Sequence, residues 1–190
     1  TGSRTEAESL EDLRRSMEKL RTDRIDVIQL HGIDTMEDLR RAIGPGGALE
    51  TCRRARSLGM VDFIGITGHK PRVLAEAIKT GEFDLVLVPV NVVTRQAIEE
   101  LIPAAREAGV GVAAMKVLAA KTSRIYTWRY SPSLSLLSDS PDLRSLLGET
   151  VEERAKEALR FVLAQDVDTL VVGFKSIKEV ELAVRVAEEF

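Results

Sequence analysis

Two histidines, one cysteine and a few polar residues that close apolar runs are the side chains here best suited to chemistry. His31 follows Ile25-Asp26-Val27-Ile28-Gln29-Leu30, a short β-branched run that reads as a strand. A neutral imidazole at a strand end is a rigid hydrogen-bond donor whose orientation can be set through its other nitrogen. The plainer reading of His31 is a packed or capping histidine. His69 follows Thr67-Gly68 and precedes a helix opening at Pro71, so capping or packing at that turn is the favoured reading. A pair of strand-end histidines would also suit a metallohydrolase, but no His-x-His occurs and no acidic ligand is placed after the other strands. No metal site is expected. Asn91 ends another apolar run and carries an amide that both donates and accepts; serving the loop backbone is its plainer role. Lys175 and Ser176 sit just ahead of a helix N-terminus, where orphan N–H groups and the helix dipole favour an anion. Gly44-Pro45-Gly46-Gly47 is a turn and not a phosphate loop, because no Lys-Ser/Thr follows it.

The elements that would position these groups alternate along the chain. Thr5 to Leu20 puts Leu10, Leu13, Met17 and Leu20 on one helical face. Strand Ile25 to Leu30 follows, then helices Met36 to Ile43 and Ala48 to Leu58 on either side of the glycine turn. In the second of these, Leu49, Cys52 and Ala55 make the apolar side, so Cys52 is a small core residue. Arg53, Arg54 and Arg56 are its solvated face. Val61 to Thr67, Leu85 to Val90, Gly111 to Met115 and Thr169 to Val172 read as further strands. Helices Pro71 to Lys79, Glu99 to Ala108, Val151 to Gln165 and Ile177 to Glu189 separate or follow them. The irregular stretch from Lys121 to Glu149 exceeds an ordinary connection and reads as a binding loop or lid. Its Tyr126, Trp128 and Tyr130 suit either a lid or an anchor.

Strands apolar on both faces, alternating with helices, mean a parallel sheet with right-handed crossovers. An open doubly wound sheet and a piece of an eight-stranded barrel both fit. Polar groups close every strand (His31-Gly32, Thr67-Gly68-His69, Asn91, Lys116, Lys175-Ser176), as in a barrel that gathers its site there. An open sheet concentrates its ligand groups at one switch point, and no G-x-G-x-x-G follows any strand. The barrel is the expected fold.

Composition bounds the function. With 44% apolar and 30% charged residues and a formal charge of −3, nothing marks a nucleic-acid or membrane surface. A single cysteine excludes intrachain disulfides and cysteine-held clusters, and favours a cytoplasmic home. The chain starts at Thr1-Gly2-Ser3 without an initiator methionine, which reads as a fragment or processed product.

Five segments in register resemble the aldo-keto reductases. Arg24-Ile25-Asp26-Val27-Ile28-Gln29-Leu30-His31-Gly32 is similar to that family's fourth strand, which ends in its catalytic histidine. Val61 to His69 resembles the fifth strand, Phe83 to Asn91 the sixth and Gly109 to Leu118 the seventh. Val171-Val172-Gly173-Phe174-Lys175-Ser176 resembles the eighth strand and its phosphate-binding turn.

The resemblance implies an α/β fold: strands four to eight of a (β/α)8 TIM barrel over residues 1–190, the first three βα units being absent. Those units, roughly 90 residues at ~30 per unit, would carry the family's catalytic aspartate, proton-donating tyrosine and lysine. It implies reduction of aldehydes or ketones with NADPH, or alternatively NADH, with His31 polarising the carbonyl as alkoxide character develops. Thr67, Gly68 and Asn91 would hold the nicotinamide carboxamide. Met115, Lys116, Val117 and Leu118 would line the pyrophosphate arm, and Gly173, Lys175 and Ser176 would grip the adenosine 2′-phosphate. Leu87 stands where the family tends to have glutamine, and Glu179 and Ala183 where arginine and asparagine are common. The flavour is closest to bacterial and archaeal members, some of which carry a ferredoxin-like tail. A small carbonyl compound is the expected partner, with neither nucleic acid nor membrane. The chain alone would be inactive for want of the tyrosine. Two rivals stand beside this reading: a catalytically silent nucleotide-binding subunit, and a half-barrel that self-associates through its exposed strand edges.

Overall fold

The computed structural model describes residues 1–118, 144–145 and 147–190. The tyrosines and tryptophan of the long connection lie outside the described residues. Five strands form a parallel sheet in chain order, β1 (Ile25–Leu30), β2 (Val61–Thr67), β3 (Leu85–Pro89), β4 (Gly111–Met115) and β5 (Thr169–Val171). Eight described helices accompany them: α1 (Glu6–Leu20), α2 (Met36–Ile43), α3 (Ala48–Ser57), α4 (Pro71–Ile78), α5 (Gln96–Glu100), α6 (Ile102–Glu107), α7 (Val151–Leu163) and α8 (Ile177–Glu188). The chain divides into two compact units. One comprises 1–88 and 99–112, the other 89–98 and 113–190.

In the first unit β1 pairs with β2 from Ile25↔Val61 to Leu30↔Ile66, and β2 with β3 from Gly65↔Leu85 to Thr67↔Leu87. Leu30, Ile64, Ile66, Val86 and Val88 are all fully buried, so these strands form the core of the unit. Helix α3 adds Ala48, Leu49, Cys52 and Ala55 to the same core. The glycine turn before it is shaped by contact as well as torsion. Gly46 has a φ of 69°, and a Cβ on Gly47 would meet the Ala42 carbonyl oxygen at 2.4 Å.

In the second unit β4 pairs with β5 from Ala113↔Thr169 to Met115↔Val171. Helix α7 starts on a capping box: Thr150 Oγ1 accepts from the Glu153 N–H while the Glu153 carboxylate accepts from the Thr150 N–H. Arg154 is buried among these residues and donates to the carbonyls of Gly148 and Glu149.

One expected helix, Glu99 to Ala108, is in fact two. Pro103 has no N–H to offer the Glu99 carbonyl, so α5 stops, Leu101 turns, and α6 restarts with Pro103 in its first turn. The arginines of α3 are exposed as expected, yet Arg53 and Arg56 are not merely solvated. They reach Glu82 and Asp84, as Arg24 reaches Asp62, Arg72 reaches Glu100 and Arg160 reaches Glu189.

Candidate functional site

His31 lies one residue past the C-terminal end of β1, and its backbone is held from several sides. Its N–H donates to the Thr1 carbonyl at 2.8 Å. The Arg4 guanidinium donates to the carbonyls of His31 at 3.1 Å and Gly32 at 2.8 Å. Arg4 is kept in place by Asp38 at 3.2 Å and the Gly2 carbonyl at 2.7 Å. Across the sheet, Thr67 ends β2 with its side chain buried and its Oγ1 3.4 Å from His31 Nδ1. Loss of hydration lowers the His31 pKa below its ordinary value. The positive charges of His69 and Arg4 push the same way, against Asp34. Protonation of the ring is therefore disfavoured.

The loops after β1 and β2 are laced together. Ile33 N–H donates to the Thr67 carbonyl at 2.8 Å, and a Cβ on Gly68 would meet the Ile33 carbonyl oxygen at 2.4 Å. Asp34 takes both the backbone N–H of His69 and, at 3.0 Å, its Nδ1. Burial would raise the Asp34 carboxyl, but these two hydrogen bonds and the histidine charge hold it below the usual carboxylate range. His69 thus packs at its turn through an acidic partner. Gly68 is explained by the close approach of the neighbouring loop. Among the described residues no three His, Cys, Asp or Glu side chains come together as metal ligands.

In the second unit, Asn91 is 4% exposed and its amide is engaged by the backbone. Its Oδ1 accepts from the N–H groups of Val93 (3.0 Å) and Thr94 (2.7 Å), and its Nδ2 donates to the Lys116 carbonyl at 3.0 Å. Lys116, just past β4, takes a left-handed φ of 56°. The side chains of Val117 and Leu118 are buried, so any ligand there meets their backbone. Beyond β5, Gly173, Lys175 and Ser176 are exposed. Ser176 caps α8 by accepting from the Glu179 N–H at 3.3 Å, and the Glu179 carboxylate accepts from the Lys175 N–H at 2.8 Å. The structure therefore joins His31 with Thr67, Asn91 with Lys116, and Lys175 and Ser176 with Glu179.

Sequence reasoning missed Arg4 and Asp34. Each acts on residues about 30 positions away, which no local pattern shows. The His31-Gly32-Ile33-Asp34 run did hold a carboxylate within one turn of the histidine.

A family model described as the aldo/keto reductase family matches residues 2–189. No curated protein matches the chain. Among solved structures, an aldo-keto reductase from Bacillus halodurans in its holo form is similar with a TM-score of 0.71 at 22% identity, covering 97% of this chain and 62% of that one. One from Brucella melitensis gives 0.62 at 18% identity, covering 95% and 61%. The chain thus spans less than two thirds of either structure's length.

Proposed function

The chain belongs to the aldo/keto reductase family, and from that premise we propose that residues 1–190 are the C-terminal part of a reductase barrel that turns aldehydes or ketones into alcohols with a nicotinamide cofactor. Strands β1 to β5 are then the fourth to eighth of the barrel, and the aspartate, tyrosine and lysine belong to a preceding part. The chain by itself is inactive in this reading, and the complete protein is cytoplasmic.

The carrying observation is His31. In this reading Thr67 Oγ1–H donates to His31 Nδ1, 3.4 Å away, which leaves the ring proton on Nε2 to donate to a carbonyl oxygen as negative charge builds there. Because the pKa is lowered, the neutral imidazole is the favoured donor, leaving proton delivery to a stronger acid. The cofactor, when bound, supplies the hydride. Lys116, Val117 and Leu118 would hold it through backbone N–H groups, the left-handed turn leaving room for phosphate oxygens.

One observation favours NADH over the NADPH that the resemblance implies. At the start of α8 the carboxylate of Glu179 already accepts the Lys175 N–H. It repels a 2′-phosphate and suits a ribose 2′-hydroxyl, which can donate to it.

Titrating the chain with each dinucleotide while following nicotinamide fluorescence tests this. Saturable binding with NADH the tighter is expected, and Glu179→Gln should improve NADPH by on the order of tenfold. Absence of saturation by either dinucleotide would remove the reading.

A further inference from the structure

We propose that Asn91 is a positioning residue which, through Lys116, aims the backbone N–H groups after β4 at a phosphate-bearing ligand. The ligand half of this inference rests on the dinucleotide reading above. The family resemblance implies a direct contact between Asn91 and a carboxamide. The geometry assigns it a different task.

Only two described non-glycine residues have positive φ, Arg21 and Lys116. Arg21 closes α1, its N–H bound to the carbonyls of Glu18 and Met17, which is the ordinary use of a left-handed residue at a helix end. Lys116 ends no helix. It follows a strand, in a region of φ that L side chains avoid, so something must hold it there.

Asn91 supplies the hold. Two N–H groups on its Oδ1, with its own N–H on the Thr94 carbonyl at 3.2 Å, fix the plane of the buried amide. The Nδ2 is thereby aimed at the Lys116 carbonyl. The preceding carbonyl, of Met115, is taken by the Val90 N–H at 3.1 Å. In a planar trans peptide the C=O and N–H point in opposite directions. Fixing the Lys116 carbonyl on Asn91 therefore turns the Val117 N–H away from Asn91. A left-handed residue followed by a turn then brings successive N–H groups toward a common point, a concavity that binds anionic oxygen. Val117 and Leu118, their side chains buried, offer such a ligand only their backbone.

The test is a double-variant cycle read by NADH binding and by the carbon chemical shifts of Lys116. Asn91→Asp keeps an acceptor for Val93 and Thr94 but exchanges the donor to Lys116 for a negatively charged oxygen, so Asn91→Ala, which removes the donor without adding charge, is run beside it in both backgrounds and must show the same pattern. Glycine takes the left-handed conformation without help, so the change at 91 should lose its effect in a K116G background. The expected result is NADH binding weakened about tenfold by N91D with Lys116 present, and changed less than about twofold by N91D in the K116G background. The Lys116 shifts in N91D should also leave the left-handed range. Equal loss in both backgrounds, or no loss in either, overturns the proposal. If the unaltered chain binds no NADH, the dinucleotide reading falls with the ligand half. The Lys116 shifts then decide the rest, and shifts unmoved in N91D refute the positioning role.

Discussion

Arg4 bears on His31 twice, through the hydrogen bonds that fix the carbonyls of residues 31 and 32 and through a charge that opposes protonation of the ring. Replacing Arg4 with alanine should therefore raise the His31 pKa, measured by proton NMR of the imidazole, while a purely mechanical anchor would leave it unmoved. The sign also sets a pH dependence. Because the folded pKa lies below the unfolded 6.5, the unfolded chain binds more protons between the two values. Stability contributed here is intact above about pH 6.5 and declines as pH falls toward the folded value. Asp34 has the acid's version of this linkage. Its lowered pKa means stability present above the unfolded value of 3.8 and lost as pH falls through the folded one. Asp34→Ala, leaving the His69 N–H and ring without their acceptor, should cost about 1–2 kcal/mol in urea unfolding. These roles were illegible from sequence because Arg4 lies 27 residues from His31 and Asp34 lies 35 from His69, separations that only the folded chain closes. The place of His31 just past a strand was legible, since a histidine closing a β-branched run is a local pattern.

Elements were read more easily than side-chain roles. β1, β2 and β4 have the expected bounds, β1 and β2 because they are rich in β-branched residues and β4 because its short apolar run lies between Gly109 and Lys116. The helix over 99–108 misled, since its apolar spacing continues across a break that depends on one missing N–H, that of Pro103. The glycine turn before α3 offers a test at this scale. Gly46→Ala meets open space and bears only the left-handed penalty, about 1 kcal/mol. Gly47→Ala has an ordinary φ but drives a methyl into the Ala42 and Arg41 carbonyl oxygens. It should cost about 3 kcal/mol or more, so thermal denaturation should rank Gly47→Ala well below Gly46→Ala. The opposite order would show that the turn relaxes freely.

For the molecule as a whole, no described helix is long and apolar enough to cross a membrane. Cys52 is fully buried, and burial pushes its thiol up to about 11. Its reaction with a disulfide reagent should follow global unfolding and be negligible under native conditions. The exposed ion pairs carry another message. Arg53 with Glu82, Arg56 with Asp84, Arg72 with Glu100 and Arg160 with Glu189 each bridge 28 or 29 residues, about one βα unit. Arg24 with Asp62 bridges 38. No residue-level repeat is visible in the sequence, yet charge is paired at nearly the period of the architecture. Each fastener joins a segment to the next along the chain, as neighbouring units are joined in a solenoid. A ribosome releases the chain in that same order. Every one of these pairs can close once its second half has emerged.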